Sequence, residues 1–192
     1  MTQKILILIL SAFLLVAQSC KKQPADDSIE ALEAKFREAT SGGTQDGSQN
    51  VNHEEIKKIM ADLAAAYEKY ATDHPEDQHS AEYLYKAAEL YETNMMNISR
   101  SMAIFDKIIQ DYPEAERAAD ALFKKGYVLH NTLKDLDRAR TAYLDFLEKY
   151  PDHELAASAR FEIENLGVDA RDLLDRIQHK SDSISRADVG GE

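Results

Sequence analysis

The sequence predicts an all-helical solenoid, in which antiparallel helix pairs stack into one right-handed superhelix. Three observations carry that expectation. Pro75, Pro113 and Pro151 lie 38 residues apart, with matching flanks. Apolar residues between them recur at helical rather than strand spacing. Only 7 Gly, 4 Pro and no Trp occur in 192 residues, against abundant Ala, Leu, Glu and Lys, which are strong helix formers.

Each proline closes the same phrase. Eight residues before it stands an aromatic (Tyr67, Phe105, Tyr143), five before it a large apolar residue (Tyr70, Ile108, Phe146), and directly before it His74, Tyr112 or Tyr150. Beyond the prolines, Tyr85, Phe123 and Phe161 keep the 38-residue step. Breaks near Asn94–Ser99 and Asn131–Asp135 divide each repeat into two helices. A helix pair has one apolar stripe that it cannot bury alone, so stacking successive pairs builds a continuous core. Proline belongs where the second helix stops, because it lacks the amide donor and clashes with the preceding turn.

Ahead of the repeats, residues 53–73 form the first long helix, opened by the capping-box-like pair Asn52 and Glu55 and stopped before Pro75. Residues 41–52, Ser-Gly-Gly-Thr-Gln-Asp-Gly-Ser-Gln-Asn-Val-Asn, have the composition of a flexible linker. Residues 28–40 place Ile29, Leu32 and Phe36 at helical spacing behind Asp27 or Ser28 as N-cap, a short amphipathic helix expected to hang loosely from that linker. Residues 21–27 are a polar tether, and residues from 181 onward a disordered tail. The helical domain is thus expected over residues 53–180.

The first nineteen residues carry one basic residue, Lys4, then the apolar runs Ile5–Leu10 and Ala12–Ala17. Those runs are shorter than the roughly 18 to 20 residues a membrane-spanning helix needs, and suit a cleaved secretory signal. Directly behind stands Cys20, the chain's single cysteine. An unpaired cysteine in an exported protein calls for an explanation, because oxidising compartments pair or modify free thiols. Ala17-Gln18-Ser19-Cys20 resembles the lipobox of bacterial lipoproteins, in which the cysteine thiol is acylated before the chain is cut ahead of it. That resemblance implies a covalent lipid on Cys20 and no other cofactor. Lys21 and Lys22 stand where an inner-membrane retention signal would place aspartate, so outer-membrane anchoring is expected, on the periplasmic face in preference to the cell surface.

Removal of residues 1–19 takes away one lysine and no acid, moving the formal net charge from −12 to −13. Nucleic acid is excluded as a partner, since phosphate binding needs a basic stripe. Catalytic and metal chemistry find no support. The histidines at 53, 74, 79, 130, 153 and 179 form no ligand pair at metal spacing, and there is no glycine-rich phosphate loop or nucleophile elbow.

The repeats resemble the tetratricopeptide-repeat (TPR) family, whose consensus unit is roughly 34 residues. Gly126 fits the family's glycine, Ala139 its alanine one residue late, and Pro151 its proline. The preceding repeat departs, with Ala88 for the glycine and Ser101 for the alanine, and Lys125 stands where leucine is expected. The longer unit and the phrases around Asp111-Tyr-Pro-Glu and Glu148-Lys-Tyr-Pro resemble the branch holding the barrel-assembly lipoprotein BamD and the Tol-Pal-associated protein YbgF. The resemblance spans residues 53–167, about two full repeats with half-repeats on either side. It implies a scaffold that binds envelope proteins or peptides, and a concave groove lined by the first helix of each pair. Carried over residue by residue, the groove positions are Glu82, Tyr85, Glu89 and Glu92, then Asp120, Phe123, Tyr127 and His130, then Phe161 and Asn165. That surface is acidic with an aromatic line, suited to a basic or extended peptide.

Overall fold

A computed structural model describes residues 27–41, 53–93, 97–169 and the helical positions 171, 172, 174, 175, 178 and 179. Residues 1–19, read above as a signal sequence, Cys20, and the segments expected to be tether, linker (from 42 to 52) and tail (from 181) lie outside the described residues. Seven helices follow one another among them: α1 Asp27–Ser41, α2 His53–Asp73, α3 His79–Thr93, α4 Ile98–Asp111, α5 Glu116–Asn131, α6 Leu136–Lys149 and α7 Ala156–Glu164. No described helix is long and apolar enough to cross a membrane. Each helix packs on the next in sequence, and α3 also touches α5, which is the connectivity of a solenoid.

The 38-residue repeat is written into the turns as well as the side chains. After α2, α4 and α6 the amides of His74, Tyr112 and Tyr150 donate to the carbonyls of Tyr70, Ile108 and Phe146 at 2.9, 3.0 and 2.8 Å. Three residues on, the amides of Asp77, Ala115 and His153 donate to the carbonyls of His74, Tyr112 and Tyr150 at 3.0, 3.0 and 3.2 Å. The carbonyls orphaned at each helix end are thus met in the same way three times. The turns inside the repeats are capped by side chains, Asn97 accepting from the Arg100 amide and Asp135 from the Arg138 amide. These two caps begin α4 and α6, where the sequence pattern breaks.

The repeated apolar residues form the core. Tyr67, Phe105 and Tyr143 are buried, as are Tyr70, Ile108 and Phe146. Helix α5 is buried on two sides: Ala118, Ala121 and Val128 join the core built with α3 and α4, whereas Ala119, Leu122 and Leu129 join that built with α6 and α7. Alanines here let an inner helix approach both neighbours closely. At the equivalent helix-packing positions Ala139 and Ser101 are both fully buried, and among the described residues the Ser101 hydroxyl has no hydrogen-bond partner. Burying an unsatisfied hydroxyl costs about 1–3 kcal/mol. Ser101→Ala should therefore stabilise the fold by about 1 kcal/mol, read as a higher urea midpoint; a lower midpoint would show that the hydroxyl is satisfied in solution.

Helix α1 departs from the expected loose attachment. Ile29 is buried in the core with α2 and α3, Leu32 packs beside it, and Glu33 reaches both the Tyr67 hydroxyl at 2.6 Å and Lys86 at 3.3 Å. The amphipathic stripe of α1 finds its apolar partner on α2, so α1 and α2 form a helix pair ahead of the two repeats.

Candidate functional site

The groove positions fall on α3, α5 and α7, the first helix of each successive pair. Tyr85 lies half-buried with its ring 5.8 Å from that of Phe105 and with the Arg117 guanidinium 4.8 Å above it. Phe123 packs on Tyr143 and Phe146, ring centres 5.5 and 5.7 Å away. Both rings therefore bind their own repeat together. Phe161, their equivalent on α7, is 44% exposed, and Tyr127 is 40% exposed with the Lys124 ammonium 5.4 Å from its ring. The aromatic line thus divides into two structural members, Tyr85 and Phe123, and two accessible ones, Tyr127 and Phe161. Asn165 turns back on its own helix, its amide donating to the Phe161 carbonyl at 2.7 Å.

Most of the acidic positions are neutralised within the chain. Arg117 on α5 bridges Glu82 of α3 and Asp120 of its own helix, the latter at 2.7 Å. Lys124 stands 3.5 Å from Glu92. His130 of α5 meets Glu162 of α7 through Nδ1 at 3.0 Å, and its Nε2 accepts from the Gly167 amide at 3.4 Å, which leaves Nδ1 as the donor. Gly167 supplies the left-handed backbone (φ 78°) that turns its amide back toward α5. These pairs join α3 to α5 and α5 to α7, so the expected acidic surface is in large part a set of cross-helix ties.

Glu89 is the exception: among the described residues no cation pairs with it. Its side chain reaches solvent, but partial desolvation by the neighbouring helices raises its carboxyl pKa; Lys124 and Arg117 oppose that rise, and Glu92 and Glu82 add to it. Burial, then the charges of Glu89 and Asp120, likewise push the Tyr85 hydroxyl well above its ordinary value, so that it stays a neutral hydrogen-bonding group. Pro75, Pro113 and Pro151 lie in the turns after α2, α4 and α6, and Gly126 and Ala139 are buried on α5 and α6.

Arg117, Lys124, Glu162, Glu33 and Lys86 were not legible as site residues. A short-range signal existed for one pair only, Arg117 and Asp120 at helical spacing; the others join residues far apart in sequence. Glu33 shows what such a tie does. Burial would raise its pKa, but the Tyr67 hydroxyl and the Lys86 ammonium outweigh burial and hold it below the ordinary 4.5. A carboxylate with a depressed folded pKa contributes stability above its unfolded pKa, and that contribution is lost as pH falls through the folded value. Acidification below about pH 4.5 should accordingly loosen α1 from α2 and α3, seen as faster amide exchange in residues 29–36 than in α5. Glu33→Gln should remove the pH dependence of that difference; a ratio of α1 to α5 protection factors that is the same at pH 3 as at pH 6 would contradict the assignment.

Residues 82–115 and 120–153 each match the tetratricopeptide repeat family. No curated protein and no solved structure matches the chain. The two matched stretches span α3 to α6, the two helix pairs whose turns and core residues repeat in space. The chain thus carries two tetratricopeptide repeats within a helical solenoid, an architecture that serves as a protein-interaction scaffold.

Proposed function

We propose that the chain is a lipoprotein scaffold anchored to the outer membrane through a lipid on Cys20, facing the periplasm, that binds proteins or peptides of the cell envelope and catalyses no reaction. The observation that carries the reading is the surface on α5 and α7 where Tyr127 and Phe161 stand exposed beside helices tied together by Arg117 and His130. Exposed aromatic residues on a rigid face supply contact area at little entropic cost, which is how binding hot spots are built. Because Glu82, Glu92 and Asp120 have partners within the chain, the face should select its ligand by apolar contact more than by charge. The resemblance of the repeats to the BamD branch favours outer-membrane protein assembly as the setting. A Tol-Pal or peptidoglycan-associated role like that of YbgF is the second reading. Residues 28–40 form a single short helix docked on α2, too short for a trimerising coiled coil ahead of the repeats.

Affinity isolation of the native protein from detergent-solubilised membranes should recover barrel-assembly components, or Tol-Pal or peptidoglycan-synthesis components under the second reading. Tyr127→Ala combined with Phe161→Ala should lose them. Undiminished recovery by a folded double variant would remove the α5–α7 face from the proposal. Cys20→Ala should shift the protein to the soluble fraction, and an intact mass showing an unmodified Cys20 in the native protein would end the lipoprotein reading.

A further inference from the structure

The large apolar side chains left exposed gather at one end of the solenoid. Among the described residues there are six, and five of them, Leu133, Leu136, Leu144, Phe161 and Leu174, lie between residues 133 and 174. Solenoids close their ends with a polar outer face, so an apolar end calls for a cover. The repeat shows which side chains lack one. On α4, Ile98, Met102, Asp106 and Ile109 form a strip at helical spacing that the next pair half buries: Met102 and Ile109 pack on the core that α5 builds with α6 and α7, and Asp106 takes Lys125 of α5. Moved on by 38 residues, the same strip of α6 reads Leu136, Arg140, Leu144 and Leu147. Its cover is cut short, because α7 has 9 residues where α5 has 16. Leu136, Arg140 and Leu144 are exposed, and Leu147 is half-buried. The chain leaves α7 through Gly167, where a Cβ would stand 2.9 Å from Leu136 Cδ1, so the helical positions that follow start from the edge of this strip. All six of those described are exposed, Leu174 and Asp175 among them.

We propose that this end of the solenoid binds a second copy of the chain about a two-fold axis, Leu174 of each copy seated on the α6 strip of the other with Asp175 against Arg140. The inference goes beyond the scaffold reading and does not rest on it. Both halves of the contact stand on every chain, yet within one chain they are not joined. Leu144 is 52% and Leu174 65% exposed, and neither Arg140 nor Asp175 has an ion pair among the described residues. The charges select the occupant. Inside the solenoid the strip offers a carboxylate to a cation of the following pair, Glu68 to Arg100 and Asp106 to Lys125. At the end the sign is exchanged: Arg140 is the strip's one charge, and a leucine beside an aspartate answers it. Asp137 and Glu148 border the strip on α6, and the incoming helix brings the exposed Arg171 for them. Because the strip and Leu174 adjoin the same turn, each copy gives and receives the same contact, which closes as a dimer and does not run on as a filament.

Sedimentation velocity of the native protein in a density-matched detergent, with micelles in excess over protein, should show a dimer that dissociates on dilution. Leu144→Asp, Arg140→Asp and Asp175→Arg should each weaken it by about tenfold or more, as an unpaired or like-charge contact does at an interface. All three side chains are exposed, so each variant should keep the native helical circular dichroism. Arg140→Asp combined with Asp175→Arg should restore the dimer, since each copy then meets the exchanged charge. Tyr127→Ala should leave it unchanged. A protein that is monomeric at every concentration, a dimer indifferent to Leu144→Asp, or a charge exchange that fails to restore association would overturn the proposal. A monomer in which Asp175→Arg speeds amide exchange of α6 would make the chain's own C-terminal helix the occupant, and would overturn it too.

Discussion

Phe146→Ala should cost about 3–5 kcal/mol, the range for removing a fully buried phenylalanine when the surroundings cannot close the cavity. Phe146 is entirely buried on α6, with the rings of Phe123, Tyr150 and His153 centred 5.7, 5.7 and 5.5 Å away. The four rings come from α5, α6 and the turn at Pro151, so collapse of any one part leaves the other two unsupported. Two residues earlier on the same helix Leu144 is 52% exposed, and Leu144→Ala should change stability by no more than about 0.5 kcal/mol. Because each pair of a solenoid touches only its neighbours, the loss should also be local. Amide exchange in Phe146→Ala is expected to rise across α5, α6 and α7 while α2 and α3 stay protected. A uniform rise along the chain, or a stability loss below about 1 kcal/mol, would show that Phe146 does not hold the second repeat as its packing indicates.

The residues that made the fold legible are those whose physics is local or periodic. A proline stops a helix that runs into it from the N-terminal side, and the aromatic that recurs eight residues before each one is buried every time, as Tyr67, Phe105 and Tyr143. The spacing of Pro75, Pro113 and Pro151 therefore fixed the repeat, and Asn97 and Asp135 cap helices in the two breaks. What stayed hidden depends on contacts between distant residues. The docking of α1 rests on Glu33 reaching residues 34 and 53 positions away, across a linker whose composition reads only as flexible. The neutralisation of the groove rests on Arg117 meeting Glu82 across 35 residues and His130 meeting Glu162 across 32. Residue type marked these groups as acidic or basic, but only the stacking of one helix on the next decided which acid would be tied and that Glu89 would be left over. Likewise Tyr85, Phe123 and Phe161 are the same position in sequence, yet the first two have a following helix to pack on within their own repeat, and Phe161 is left exposed near the end of the described solenoid.

Gly126 should be the least substitutable small residue in the chain, and its repeat equivalent Ala88 the reverse. A Cβ built on Gly126 would lie 2.8 Å from Cε1 and 2.9 Å from Cδ1 of Tyr143, well inside contact distance. Tyr143 is fully buried and held against Phe123, so its ring has no room to retreat. Alanine would improve intrinsic helix propensity by about 1 kcal/mol, but forcing the extra carbon into a packed contact costs about 1–3 kcal/mol. The second effect wins because the clash is with a ring locked on both sides, so Gly126→Ala is expected to lose about 1 kcal/mol net. Gly126→Leu should lose about 3 kcal/mol or more, since several further atoms must fit where one does not. At the matching place in the first repeat, Ala88 is accommodated with no exposure, and there the change in the other direction, Ala88→Gly, should cost about 1 kcal/mol through backbone entropy and lost packing. Urea unfolding of the three variants gives the answer directly. A midpoint for Gly126→Ala above that of the unsubstituted protein would mean that α5 and α6 can part at little cost. The close approach of these helices would then not be what sets the position of the exposed Tyr127 on the same helix.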